Sequence, residues 1–105
     1  MLEVCVSYDL LPGVSQDSYG AWAKKAMSTT LKQTGLIEFR AHRNILGSPQ
    51  VRTTSVWKSG ADWIAFADSA WKPLEQELRG LATNLRMEAW GPSPLVPEPL
   101  RPGKQ

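Results

Sequence analysis

Val56-Trp57-Lys58-Ser59-Gly60-Ala61-Asp62-Trp63-Ile64-Ala65-Phe66 compresses a strand end, a turn and a helix start into one short block. Val56-Trp57 closes an apolar, β-branched run, and Trp63 and Phe66 open an apolar stripe at helical spacing. Between them Ser59, with Asp62 three residues on, is close to the Ser-x-x-Glu capping box. In that box a side-chain oxygen takes one of the N–H groups that the first helical turn leaves unpaired. The elements on either side can be placed outward from this point.

Upstream, Gln50 to Lys58 is rich in Val and Thr and reads as a strand. Leu36 to Asn44 alternates, with Ile37, Phe39 and Ala41 on one side and Glu38, Arg40 and His42 on the other. Leu46-Gly47-Ser48-Pro49 is turn chemistry, so the two runs form a hairpin. Before them Tyr19, Trp22, Ala23, Ala26, Met27 and Leu31 fall on one helical face, with Ser15 as N-cap and Gly35 as C-cap residue. Leu2 to Asp9 is a further alternating strand, turned by Leu11-Pro12-Gly13. Downstream, Trp63, Phe66, Ala67, Ala70, Trp71, Leu74, Leu78 and Leu81 make one stripe, which Pro73 is expected to break near Trp71-Lys72 into two helical pieces. Leu85 to Trp90 supplies a fourth strand.

The order strand, helix, strand, strand, helix, strand is that of an α+β, ferredoxin-like βαββαβ domain over residues 1–90, with both helices on one face of a four-stranded antiparallel sheet. Strand parity sends Val4, Val6, Tyr8, Ile37, Phe39, Ala41, Leu85 and Met87 toward the helices. Glu3, Glu38, Arg40, His42, Arg52, Arg86 and Glu88 then share the opposite face with Cys5, Ser7, Thr54 and Trp90, an array suited to cross-strand ion pairs. Residues 91–105 hold five of the eight prolines and no periodicity, and read as an extended tail. It is either free in solution or a strap over the domain or a partner subunit, for which Leu95, Val96 and Leu100 supply apolar side chains.

The composition narrows the function by exclusion. At 105 residues and 42% apolar content the chain is one domain. Its net charge of +2 is scattered, which argues against nucleic acid or an anionic membrane as partner. No apolar run approaches the roughly 20 residues of a membrane span, and no signal-peptide pattern is present. A single cysteine, Cys5, excludes an internal disulfide and points to a reducing, cytoplasmic setting. One His and one Cys make no zinc site, no glycine-rich loop cradles phosphate, and no serine nucleophile elbow occurs.

Val56-Trp57, the turn Lys58 to Trp63, and Ala67-Asp68-Ser69-Ala70-Trp71-Lys72-Pro73-Leu74 together resemble the antibiotic biosynthesis monooxygenase type of domain in the dimeric α/β-barrel superfamily. Tyr8-Asp9-Leu10-Leu11-Pro12-Gly13 is similar to the strand and Pro-Gly turn that begin such domains. The resemblance covers residues 2 to about 90. It implies a homodimer in which two open sheet faces pack into a barrel, with a ligand space between sheet and helices of each subunit. It also implies one of several activities: cofactor-free oxygenation of aromatic or quinol-like compounds, haem degradation, or ligand binding without catalysis, as in stress-related dimers of this fold.

Haem cleavage in that superfamily uses an Asn on the first strand and a Trp and a His on the second helix. Here the corresponding places hold Ser7, Phe66 and Gln76, which disfavours that route. Oxygenation without a cofactor asks for an aromatic pocket, a base, and donors for a developing oxyanion. Tyr8, Trp22, Phe39, Trp57, Trp63 and Phe66 are the expected pocket, with a small aromatic ligand. Tyr8 and His42 are the candidate proton-handling groups, and no residue is assigned as catalytic.

Overall fold

A computed structural model describes residues 1–103 and arranges them as β1 (Leu2–Leu10), α1 (Gln16–Leu31), β2 (Leu36–Arg43), β3 (Val51–Trp57), α2 (Gly60–Ala67), α3 (Trp71–Arg79) and β4 (Ala82–Trp90). The four strands form one antiparallel sheet in the order β2-β3-β1-β4, so β2 and β4 are its edges. This is the ferredoxin-like βαββαβ topology that the element order predicts. The end of the tail, Lys104 and Gln105, lies outside the described residues.

Alternation in β1 sets the two faces. Val4, Val6 and Tyr8 are buried against the helices, and their partners on β3, Ser55, Thr53 and Val51, share that side. Trp22, Ala26, Phe66, Trp71, Leu74 and Leu78 pack onto them from α1, α2 and α3. Fully burying aliphatic and aromatic side chains of this kind stabilises a domain by roughly 1.5–3 kcal/mol each, which makes this layer the main source of folding free energy.

Both helix starts are capped as expected. The Ser15 hydroxyl accepts from the Ser18 N–H at 3.1 Å, and the Ser59 hydroxyl accepts from the Asp62 N–H at 3.2 Å. The end of α1 differs from expectation, because the cap is Lys32 and the helix stops before Gly35. The Gln33 side chain donates to the Thr29 carbonyl at 3.0 Å and satisfies the last turn, so no left-handed glycine is needed there. Gly35, with φ of 85°, serves the turn into β2 instead. Its carbonyl accepts from the Lys58 N–H at 2.8 Å, and its bare Cα faces the Asp62 side chain, which a Cβ would strike.

The second helical stripe does split in two, but at Asp68–Ala70 rather than at the proline. Pro73 stands in the first turn of α3, where its missing N–H has no helical acceptor to lose. Two strands depart from simple alternation. A register shift between Leu36 and Glu38 turns Leu36 toward the core and leaves Ile37 exposed beside Glu3, Arg40 and Val56, correcting its expected place under the helices. A second shift, between Ser7 and Asp9, accompanies Asn84 at φ of 55° and starts β4 earlier than Leu85.

The open face carries the expected charge lattice. Arg40 contacts Glu3 at 2.7 Å and Glu38 at 3.0 Å, and Arg86 contacts Glu88 at 3.2 Å. All are exposed pairs of the kind that contributes little to stability. Among its described residues, 91–103, the tail forms neither helix nor strand. Gly91, Pro92, Pro97, Glu98 and Pro99 border a groove on this face with Met1, Glu3, Ile37 and Val56, so the tail crosses one end of the sheet. Among the described residues no helix is long and apolar enough to cross a membrane, and no group of three or more His, Cys, Asp or Glu could hold a metal ion.

Candidate functional site

Short side chains meeting across the helix–sheet layer leave a hole in it. Ala23 and Ala26, one turn apart on α1, face Thr53 and Ser55 on β3, and neither set is large enough to fill the gap between the flanking aromatic rings. The result is a cavity of about 140 Å³ enclosed mainly by apolar groups. Tyr8, Trp22, Phe66 and Trp71 form its buried walls. Its more exposed lining residues, Met27 on α1 and Ala41 on β2, set the mouth between that helix and the edge strand.

Two of the indole walls are fixed by hydrogen bonds of their own. Trp22 donates its indole N–H to the Leu74 carbonyl at 3.0 Å, and Trp71 donates to the Glu75 carboxylate at 3.1 Å. Tyr19 stacks on Trp22 with ring centres 6.1 Å apart, while Tyr8 stands edge-on to both. The Thr30 hydroxyl is turned to the Ala26 carbonyl at 2.7 Å. Trp63 also lines the cavity, and its indole N–H has no acceptor among the described residues.

The polar centre of the cavity is a pair of phenols. The hydroxyls of Tyr8 and Tyr19 are 2.5 Å apart, so one donates to the other and the acceptor's proton is left free for a third group. Burial, reinforced by the bond to Tyr19 and its charge, pushes the Tyr8 hydroxyl well above the usual phenol range, although Arg43 opposes the shift. Tyr8 therefore stays neutral, and the pair together offers one donor proton and no resting base. Among the described residues, no carboxylate, imidazole, amine or guanidinium group lines the cavity.

Five of the six aromatic side chains expected at a pocket, Tyr8, Trp22, Phe39, Trp63 and Phe66, are on this wall. Trp57 is not. It is fully buried one layer behind, stacked on Phe66 at 5.3 Å and donating to the Ser55 hydroxyl at 2.8 Å. His42 lies apart from the cavity altogether, exposed on the open face opposite Arg52, in a groove with Arg43, Asn44, Ile45, Leu46 and Pro49. Tyr8 and His42 thus occupy opposite sides of the sheet and cannot serve one site.

Sequence reading missed Tyr19 and Trp71 as lining residues. The available signal was spacing: Tyr19 precedes Trp22 by one helical turn and shares its face. It also missed Ala23, Ala26, Thr53 and Ser55, whose smallness at inward positions is what makes the hole.

No protein-family model matches the sequence, and no curated protein matches it significantly. Solved structures match it throughout the domain. SnoaB, a cofactor-independent oxygenase from Streptomyces nogalater, aligns with a TM-score of 0.69 at 14% identity over 92% of this chain and 97% of its own. A candidate antibiotic biosynthesis monooxygenase from Deinococcus radiodurans aligns with a TM-score of 0.73 at 12% identity, over 99% of this chain and 100% of its own. A dimeric ferredoxin-like protein of unknown function from Thermobifida fusca gives 0.73 at 6% identity, over 85% and 88%. At such identities the likeness is one of fold alone, the ferredoxin-like fold.

Proposed function

We propose that the protein is a cofactor-independent oxygenase that takes a small aromatic or quinol-like compound into the cavity between helices and sheet. It works as a cytoplasmic homodimer joined through the open sheet face. The observation that carries the reading is the enclosed aromatic cavity with the Tyr8–Tyr19 hydroxyl pair inside it. The shared fold with SnoaB, named as a cofactor-independent oxygenase, supports the reaction type. The dimeric relative from Thermobifida fusca supports the assembly.

The reaction asks little of the protein beyond placement. The substrate's own anion supplies the electrons, one atom of O₂ enters the product and the other leaves as water. Because no base lines the cavity, the substrate must be acidic enough to lose its proton to water at the mouth. The free hydroxyl proton of the tyrosine pair then bonds the substrate oxygen, stabilising negative charge in an environment that water does not screen.

Incubating the full chain with a panel of hydroquinones and phenols under ¹⁸O₂ should give a product carrying one heavy oxygen atom. Tyr8→Phe combined with Tyr19→Phe should lower kcat/KM by about a hundredfold to a thousandfold while leaving the fold intact, in line with loss of the oxyanion donor. Binding without any isotope incorporation would instead make this a non-catalytic ligand-binding dimer.

A further inference from the structure

We infer that the cavity is built for a single aromatic ring bearing an oxygen substituent, and that it rejects fused ring systems. This rests on reading the cavity as the ligand site. Volume is the first argument. A dry cavity of about 150 Å³ holds one benzene molecule, and the space here is about 140 Å³. A fused second ring adds about four carbon atoms that the walls do not hold, so it would have to project through the mouth between α1 and β2.

The walls resist enlargement. Trp22 is tied to the Leu74 carbonyl and Trp71 to Glu75, so neither indole can swing aside without stranding an N–H. Phe66 is backed by the stacked, fully buried Trp57. A packed layer of this kind does not dilate smoothly to fit a larger guest.

The oxygen is assigned by the phenol pair. Tyr8 and Tyr19 satisfy one another and still leave one hydroxyl proton unspent, in a lining that is otherwise mostly apolar. A ring with a hydroxyl, phenolate or quinone oxygen accepts that proton. A plain hydrocarbon ring fits the space but leaves the donor without an acceptor, and so binds less tightly.

Calorimetric titration of the full-length protein with 4-methylphenol, toluene and 2-naphthol separates these terms. The expected order is 4-methylphenol tightest, toluene weaker by about tenfold, and 2-naphthol weaker by about tenfold or more. In the double variant Tyr8→Phe/Tyr19→Phe, which removes every phenol donor from the lining, the advantage of 4-methylphenol over toluene should shrink toward parity, with toluene unchanged. Ala26→Leu should abolish 4-methylphenol binding by filling the space, and Phe66→Ala should admit 2-naphthol. Circular dichroism establishes that each variant is folded before its titration is counted. If the wild-type protein binds 2-naphthol as tightly as 4-methylphenol, the one-ring limit is overturned while the ligand site stands. If none of the three ligands binds, the limit and the proposed function fall together.

Discussion

Asp9 shows how much one side chain can join. Its carboxylate accepts from the Ser48 hydroxyl at 2.5 Å, the Asn84 amide at 3.1 Å and the Gln50 N–H at 2.8 Å, linking the ends of β1 and β4 to the β2–β3 loop. These bonds, the one from Ser48 first, hold its carboxyl below the usual carboxylate range. A depressed carboxyl stabilises the folded state above its unfolded value, and that contribution is lost as pH falls through the folded value. Urea midpoints of wild type should therefore fall between about pH 5 and pH 2, and Asp9→Asn should show a lower midpoint at pH 7 and a shallower acid slope. An unchanged slope in the variant would remove Asp9 from this role. None of this was legible in the sequence, because the partners lie 39, 41 and 75 residues away. Ser15 and Ser59 were legible, because their partners lie three residues on.

Elements were read well where period and chemistry agree, and less well where a local exception intervened. The alternation of β1 and the hairpin of β2 and β3 follow directly from residue pattern, whereas the shift at Ile37 leaves no trace in composition. Pro73 illustrates the same limit. Read as an interior proline, it marks a break; standing in the first turn of α3, it is compatible with the helix it begins. Pro73→Ala should accordingly change stability by less than about 1 kcal/mol, where relief of an interior proline would gain about 3 kcal/mol. Chemical denaturation decides between these values.

For the whole molecule, the cavity could be foreseen as an aromatic region but not as a volume. Parity places Trp57 among the inward residues, yet whether an inward indole is wall or backing depends on what stands in front of it, here Phe66. The open face carries its own question of assembly. Leu95 and Leu100 are almost fully exposed on a tail that crosses this face, beside exposed Met1 and Trp90. Light scattering should find the full chain dimeric. A chain ending at Gly91 should keep its fold, since β4 is complete at Trp90, and should dissociate at concentrations about tenfold higher as those apolar contacts are lost. A tighter dimer after truncation would mean that the tail shields the face instead of bridging it.

The burial of Trp57 behind the wall has an optical consequence. Trp57 is sealed from solvent while Trp22, Trp63 and Trp71 border the cavity and Trp90 lies on the open sheet face, 56% exposed in the single subunit. The five indoles thus emit from three environments. A guest in the cavity touches only the middle group, so its arrival should be read as a partial loss of emission, with Trp90 unaffected.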